Sequence, residues 1–275
     1  MVRLASAAAF FALISFNAIA QQAGGLSAGP SEGSTNYETR VLSFTPSPEV
    51  TQSRIFAGAR FWRLDPGEYE VELWGRLRHQ RDGSDEFLYQ AEIEIGLTPH
   101  IQLDLYENLQ TLPGQKLNQE GNQIEMRYSF ASQYGAIWAN PTLYLEWHPR
   151  HDAPDRAEVR LLLGGSLGIP HLLGAANLYV EQNIFDRNTR EGVDGEFGAY
   201  ASASYGLLGD KLRLGAETKL GGDQHGAPGY VLAAEAGPNV VYATRHWKIT
   251  TTFFFGLTGH DPRFEPYVIL GYQFP

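Results

Sequence analysis

The sequence predicts an all-β chain, a single antiparallel transmembrane β-barrel of about twelve strands behind a signal peptide. Three observations carry that expectation. Apolar and polar residues alternate with a period of two in segment after segment from Glu68 to Phe274, and successive side chains of a strand leave on opposite faces. Aromatic residues of the apolar face gather at the ends of these segments, as they do where a barrel meets the two membrane–water interfaces. The chain also opens with an export signal: Arg3, an apolar run from Leu4 to Phe16, and Ala18-Ile19-Ala20 before Gln21,.

Composition narrows the field further. The 275 residues include no cysteine, so disulfides and thiolate metal sites are excluded,. A formal charge of −10 argues against nucleic acid or anionic lipid as an electrostatic partner,. Glycine (30), phenylalanine (15) and tyrosine (14) are abundant, which favours strands over helices,.

Taken in order, residues 1–20 read as the signal peptide and 21–54 as a flexible leader rich in Gly, Ser, Thr and Pro,. The barrel region is 55–275. Its opening stretch, Ile55–Leu64, is apolar and aromatic and fits a short helix, a strand or a plug segment equally well. The first strand begins near Glu68, where Tyr69, Val71 and Leu73 alternate with Glu70 and Glu72. The clearest unit follows: Phe87 to Leu97 and Ile101 to Tyr106 form a hairpin whose turn, Thr98-Pro99-His100, carries a proline that cannot donate to a ladder,. Later segments repeat the pattern around Ile124–Phe130, Leu143–Trp147, Val159–Leu163, Ala176–Val180, Phe197–Tyr205, Leu212–Leu220, Tyr230–Ala236, Trp247–Phe255 and Phe264–Phe274. Most are long enough to span a bilayer, which takes about 9–11 residues per strand. An aromatic girdle is expected at each rim, one with Phe87, Tyr89, Trp147, Phe197, Tyr230 and Phe264, the other with Tyr69, Tyr205, Trp247, Tyr272 and Phe274. Short connections at 98–100 and 209–211 suit periplasmic turns. The polar stretches 110–122, 149–156, 186–194 and 221–228 suit external loops, as does the brief 81–85.

The polar face is charged rather than merely hydroxylated. Its lumen-lining candidates are Glu92, Glu94, Asp104, Glu125, Arg127, Glu146, Glu158, Arg160, Glu181 and Glu217. Acids outnumber bases on that face. Two readings stay open: an ion-pair network that fills a closed barrel, or a narrow cation-preferring pore, because rings of carboxylates select cations. By the same face assignment, Thr250 should accept an arginine at little cost, whereas Leu103 and Leu161 on the apolar face should not.

Catalytic chemistry is harder to find. His148-Pro149-Arg150-His151-Asp152 only approximates metal-ligand spacing, Asp82 and Asp85 share a loop, and neither the H-x-S nor the G-x-S-x-G pattern that a barrel lipase would offer is read,. No catalytic residue, metal site or cofactor is assigned.

Glu92 to Tyr106 (E-I-E-I-G-L-T-P-H-I-Q-L-D-L-Y), Asn140 to Trp147 (N-P-T-L-Y-L-E-W) and the closing Val268 to Phe274 (V-I-L-G-Y-Q-F) resemble uncharacterised Gram-negative outer-membrane β-barrel proteins. Within that group the resemblance is, distantly, to the barrels labelled as a phenol-degradation MetA-pathway family. It implies an outer-membrane location and small-molecule passage, and it transfers no site residues. The last stretch is similar to the final-strand signal of such proteins, although Pro275 follows the aromatic Phe274. The partners expected are outer-membrane lipid, the barrel assembly machinery through the C-terminal strand and a small-molecule solute, with no nucleic acid. A narrow pore or transporter with an acidic lumen is the leading function. A closed structural or adhesive barrel acting through its external loops is the alternative, and an outer-membrane hydrolase comes third.

Overall fold

The computed structural model describes residues 54–150, 154–184, 195–224 and 231–274. The signal peptide, nearly all of the leader, Tyr230 of one girdle, the whole of the predicted external loop 186–194 and half of 221–228 therefore lie outside the described residues. Within them the chain forms a closed barrel in which each strand pairs with its sequence neighbours and the last pairs with the first.

The strands are β1 (Tyr69–His79), β2 (Asp85–Gly96), β3 (Ile101–Thr111), β4 (Asn118–Ser129), β5 (Thr142–His148), β6 (Asp155–Ser166), β7 (Leu172–Ile184), β8 (Gly195–Leu207), β9 (Leu212–Gln224), β10 (Val231–Ala243), β11 (Trp247–Gly256) and β12 (Phe264–Gln273). All pairings are antiparallel, and closure is by Val71 opposite Tyr272 and Leu73 opposite Leu270. An even strand number brings both ends of the barrel to one rim, called here the terminal rim. The other is the loop rim.

Alternation along each strand sorts the side chains as the sequence pattern requires. Leu73, Leu178, Val180, Leu220 and Leu232 face outward and are more than half exposed. A continuous apolar outer wall costs a protein in water about 25 cal/mol per Å² and costs nothing in lipid. The outward aromatics again fall near strand ends: Phe87, Trp147 and Phe255 towards the loop rim, Tyr205, Tyr242, Trp247 and Phe274 towards the terminal rim.

Two connections depart from the sequence pattern. The stretch 110–122 reads as a loop, yet the ladder runs to Thr111 and restarts at Asn118. Beyond the apolar band both faces of a strand meet water, so alternation fades while pairing continues. There the Gln119 and Asn122 amides each donate to Glu107 across the ladder, both at 2.5 Å, beside a bulge at Asn108/Leu109. The connection 130–141, at the terminal rim, is long and turns inward. Ala139 and Asn140 adopt φ of 58° and 46°, and Asn140 Nδ2 donates to the Gly164 carbonyl at 2.8 Å. Asparagine is among the few side chains that adopt this left-handed backbone readily.

The topology gives a direct check. A cysteine at Gln115, in the β3–β4 turn, should label on intact cells with a membrane-impermeant maleimide, and one at Lys211, in the β8–β9 turn, should not. Labelling of both would exclude a single transmembrane orientation.

Candidate functional site: the lumen and its plug

The buried core of this molecule lies inside the barrel. Residues 54–66 precede β1 and thread into the lumen from the terminal rim. Ile55, Phe56, Ala59, Phe61 and Trp62 pack there with Ala131, Tyr134, Ala175, Val241 and Ala243 of the wall and the inward connection. Of the three conformations the sequence allows for this stretch, the plug is the one observed. Arg54, which the sequence reading puts at the end of the leader, is fully buried in it.

A segment without a ladder must find other partners for its backbone, because a buried unpaired N–H or C=O is costly. The wall supplies them. The N–H groups of Ala57 and Gly58 donate to the two oxygens of Glu217 at 2.8 and 2.9 Å. Asn177 accepts from Arg60 N at 2.8 Å and donates to Arg60 O at 2.6 Å. Gln102 accepts from Leu64 N at 2.5 Å, and the Thr250 hydroxyl donates to Arg54 O at 2.9 Å. At the bend, Gly58 comes so close to the wall that a Cβ would sit 2.5 Å from the Tyr200 ring.

The side chains answer the charge of the wall. Arg54 meets Glu72, Glu92 and Glu94 at 3.0, 2.7 and 2.9 Å, and its guanidinium carbon lies 4.4 Å from the centre of the Trp74 ring. Arg60 meets Glu125 at 2.8 Å and donates to the Tyr106 hydroxyl at 3.0 Å. Arg63 donates to the Ser132 carbonyl at 2.7 Å, tying the plug to the 130–141 connection, while Trp62 and Tyr134 meet edge to face at 5.4 Å. The wall adds its own bases: Arg127 contacts Glu125 at 2.5 Å and Asp104 at 2.9 Å, and Lys248 contacts Glu70 and Glu72 at 2.8 Å each.

Above the plug, towards the loop rim, a cavity of about 350 Å³ remains. Arg54, Ala57, Gly58 and Arg60 border it, together with Trp74, Tyr106, Tyr144, Tyr200 and Tyr267, the amides Gln90, Asn108 and Gln123, and charged residues nearer the rim such as Arg78, Glu86, Arg156 and Glu181.

The ten predicted lumen residues thus fall into two tiers. Glu92, Glu94, Asp104, Glu125, Arg127 and Glu217 are buried against the plug, while Glu146, Glu158, Arg160 and Glu181 border the cavity. Arg160 pairs with Glu158 and lies 5.0 Å from the Tyr144 ring centre, and Arg156 reaches Glu181 at 3.4 Å. Sequence reasoning missed Arg54 and Arg60, which come from outside the strands and pair with acids of the wall, and Arg63, which pairs with Asp65 of its own segment at 3.1 Å. Their signal was present, since arginines at this spacing are out of place in an otherwise apolar segment. Thr250 needs correction: it is fully buried under the plug, so an arginine there would displace residue 54.

Other candidate chemistry finds local explanations. The oxygens of Glu72, Glu92 and Glu94, and those of Glu92, Asp104 and Glu125, lie close enough to hold a metal ion, but guanidinium groups already sit among them. His148 faces the lumen, and its sequence neighbours His151 and Asp152 lie outside the described residues. Asp82 accepts hydrogen bonds from Ser84 N and Oγ at 2.9 and 2.7 Å, and Asp85 pairs with His79 at 2.7 Å. The pattern G-x-S-x-G does occur, at Gly25–Gly29 outside the described residues and at Gly164–Gly168. The second runs from a strand into a turn, not into the helix that a nucleophile elbow needs,. Ser166 Oγ accepts from Gly168 N at 3.3 Å, and His171 pairs with Asp210 at 3.1 Å without bonding Ser166.

No protein-family model matches the chain, and no curated protein matches it. Solved structures do. The NanC porin, 13% identical, covers 75% of this chain and 99% of its own with a TM-score of 0.53. The COG4313 outer membrane channel from Pseudomonas putida F1, 10% identical, covers 78% of this chain and 98% of its own with a TM-score of 0.57. At these identities the shared property is the fold, and it is the fold of bacterial outer-membrane β-barrels. The resemblance read from Glu92–Tyr106 and the closing strand holds at that level.

Proposed function

We propose that the chain is an outer-membrane channel for a small solute, held shut in this conformation by residues 54–66. The observation that carries the reading is what closes the lumen. The barrel wall surrounds a cavity of about 350 Å³ whose floor is Arg54, Ala57, Gly58 and Arg60. A barrel built only as a scaffold can fill its interior with wall side chains; this one is blocked by a separate segment that no ladder bond ties to it. The similarity in fold to a porin and a channel supports the same reading. With the plug withdrawn, Glu92, Glu94, Asp104 and Glu125 would face an opened lumen, and Arg127 pairs with the last three of them, which leaves an acid surplus that favours cations.

Planar-bilayer recording tests this. Refolded wild-type protein should be mostly silent, and the Arg54→Ala/Arg60→Ala double variant should conduct with a preference for cations. Adding Glu92→Gln and Glu94→Gln should reduce that preference. If the double variant inserts but stays silent at high protein load, the channel reading fails and the closed barrel acting through its loops remains.

A further inference from the structure

The surroundings of Arg54 have the composition of a cation-recognition site. Glu72, Glu92 and Glu94 hold its guanidinium at 2.7–3.0 Å. Carboxylates alone would be no more than an acidic cluster. The second component is the indole of Trp74, whose face lies 4.4 Å from the guanidinium carbon. An aromatic face gives a metal ion no ligand atom, but it gives an organic cation an attractive surface. Trp74 also borders the cavity above, so a solute descending from the loop rim would reach it before reaching the carboxylates.

Arg54 is an imperfect occupant of this place. It is fully buried, yet its Nη1 finds no hydrogen-bond acceptor among the described residues. Its position depends on the plug, whose backbone is tethered here through the Thr250 hydroxyl on Arg54 O. Among the described residues this leaves a buried donor unmet, a cost that a cation fitted to the three carboxylates would not carry.

We propose that Glu72, Glu92, Glu94 and Trp74 form a binding site for the guanidinium or ammonium group of a small organic cation, with Arg54 standing in for that group. A solute entering from the loop rim displaces Arg54 and so loosens the plug. The second statement rests on the channel reading; the first does not.

Agmatine, which carries a guanidinium and an amine, is the probe. It is titrated calorimetrically into micellar wild-type protein, Arg54→Ala and Arg54→Lys, with glutarate and Mg²⁺ in parallel. Removing an intramolecular competitor of millimolar effective concentration should tighten agmatine binding by about tenfold or more in Arg54→Ala. Arg54→Lys keeps the competing charge and should stay near wild type. In a second measurement on the otherwise native plug, Ala57→Cys should react faster with an impermeant maleimide when agmatine is added, and not when glutarate is added. Agmatine binding no tighter in Arg54→Ala, an equal gain for Mg²⁺, or Ala57→Cys labelling indifferent to agmatine would each overturn the proposal. The channel reading fails separately: tight agmatine binding by a variant that is silent in bilayers keeps the site and removes the pore, and conductance without agmatine binding does the reverse.

Discussion

Replacing Arg127 with methionine should destabilise the barrel by about 3–5 kcal/mol, the range found when one partner of a buried ion pair is removed. Arg127 is fully buried. It lies 2.5 Å from Glu125, 2.9 Å from Asp104 and 3.6 Å from Glu94, each of them also fully buried. Methionine would fill similar space but leave these carboxylates with only the plug arginines for compensation, of which Arg60 is 3.8 Å from Asp104. Arg78 offers the control. It reaches Glu265 at 3.4 Å and Glu86 at 3.9 Å with its own side chain 33% exposed, so Arg78→Met should cost about 1 kcal/mol or less. Urea titration of the folded form in micelles measures both. Equal losses for the two variants would mean that the lower lumen is hydrated and its charges are screened.

Much of this architecture was legible because a barrel wall writes itself into sequence with a period of two. Leu161 outward and Arg160 inward, or Ile249 outward and Lys248 inward, follow from parity alone once a strand is recognised. Legibility failed where a residue had no ladder to set its direction. Ile55–Leu64 carries no period, since its conformation is imposed by Glu217, Asn177 and Gln102, which lie far along the chain. The acid surplus of the wall was visible from Glu92, Glu94 and Glu125, yet two of its counter-charges, Arg54 and Arg60, sit just before and within the stretch that sequence could not place. Thr250 shows the same limit from the other side. Its inward direction was readable, but a fully packed lumen at that depth was not.

The same parity carries the other large effect, which concerns lipid. Leu161 is outward-facing, stands midway along β6, and is flanked by Leu143 on β5 and Leu178 on β7. An arginine there would bring its charge to the bilayer midplane within an apolar row, at a cost of about 2–4 kcal/mol. Leu103 shares the outward face but is the third residue of β3 from the terminal rim, so sequence alone overstates its depth. A side chain that close to the interface can extend its charge into water, and Leu103→Arg should cost about 1 kcal/mol or less. Folding into liposomes, followed by urea unfolding of both variants, resolves the two values. The comparison also tests the solvent of the outer wall. If that wall were the dry core of a soluble assembly, arginine would be harmful at both sites, depth along the strand would not matter, and the protein would fold without detergent or lipid. A clear difference between Leu161→Arg and Leu103→Arg, together with a strict need for an amphiphile, follows only when position along the strand is depth in a membrane.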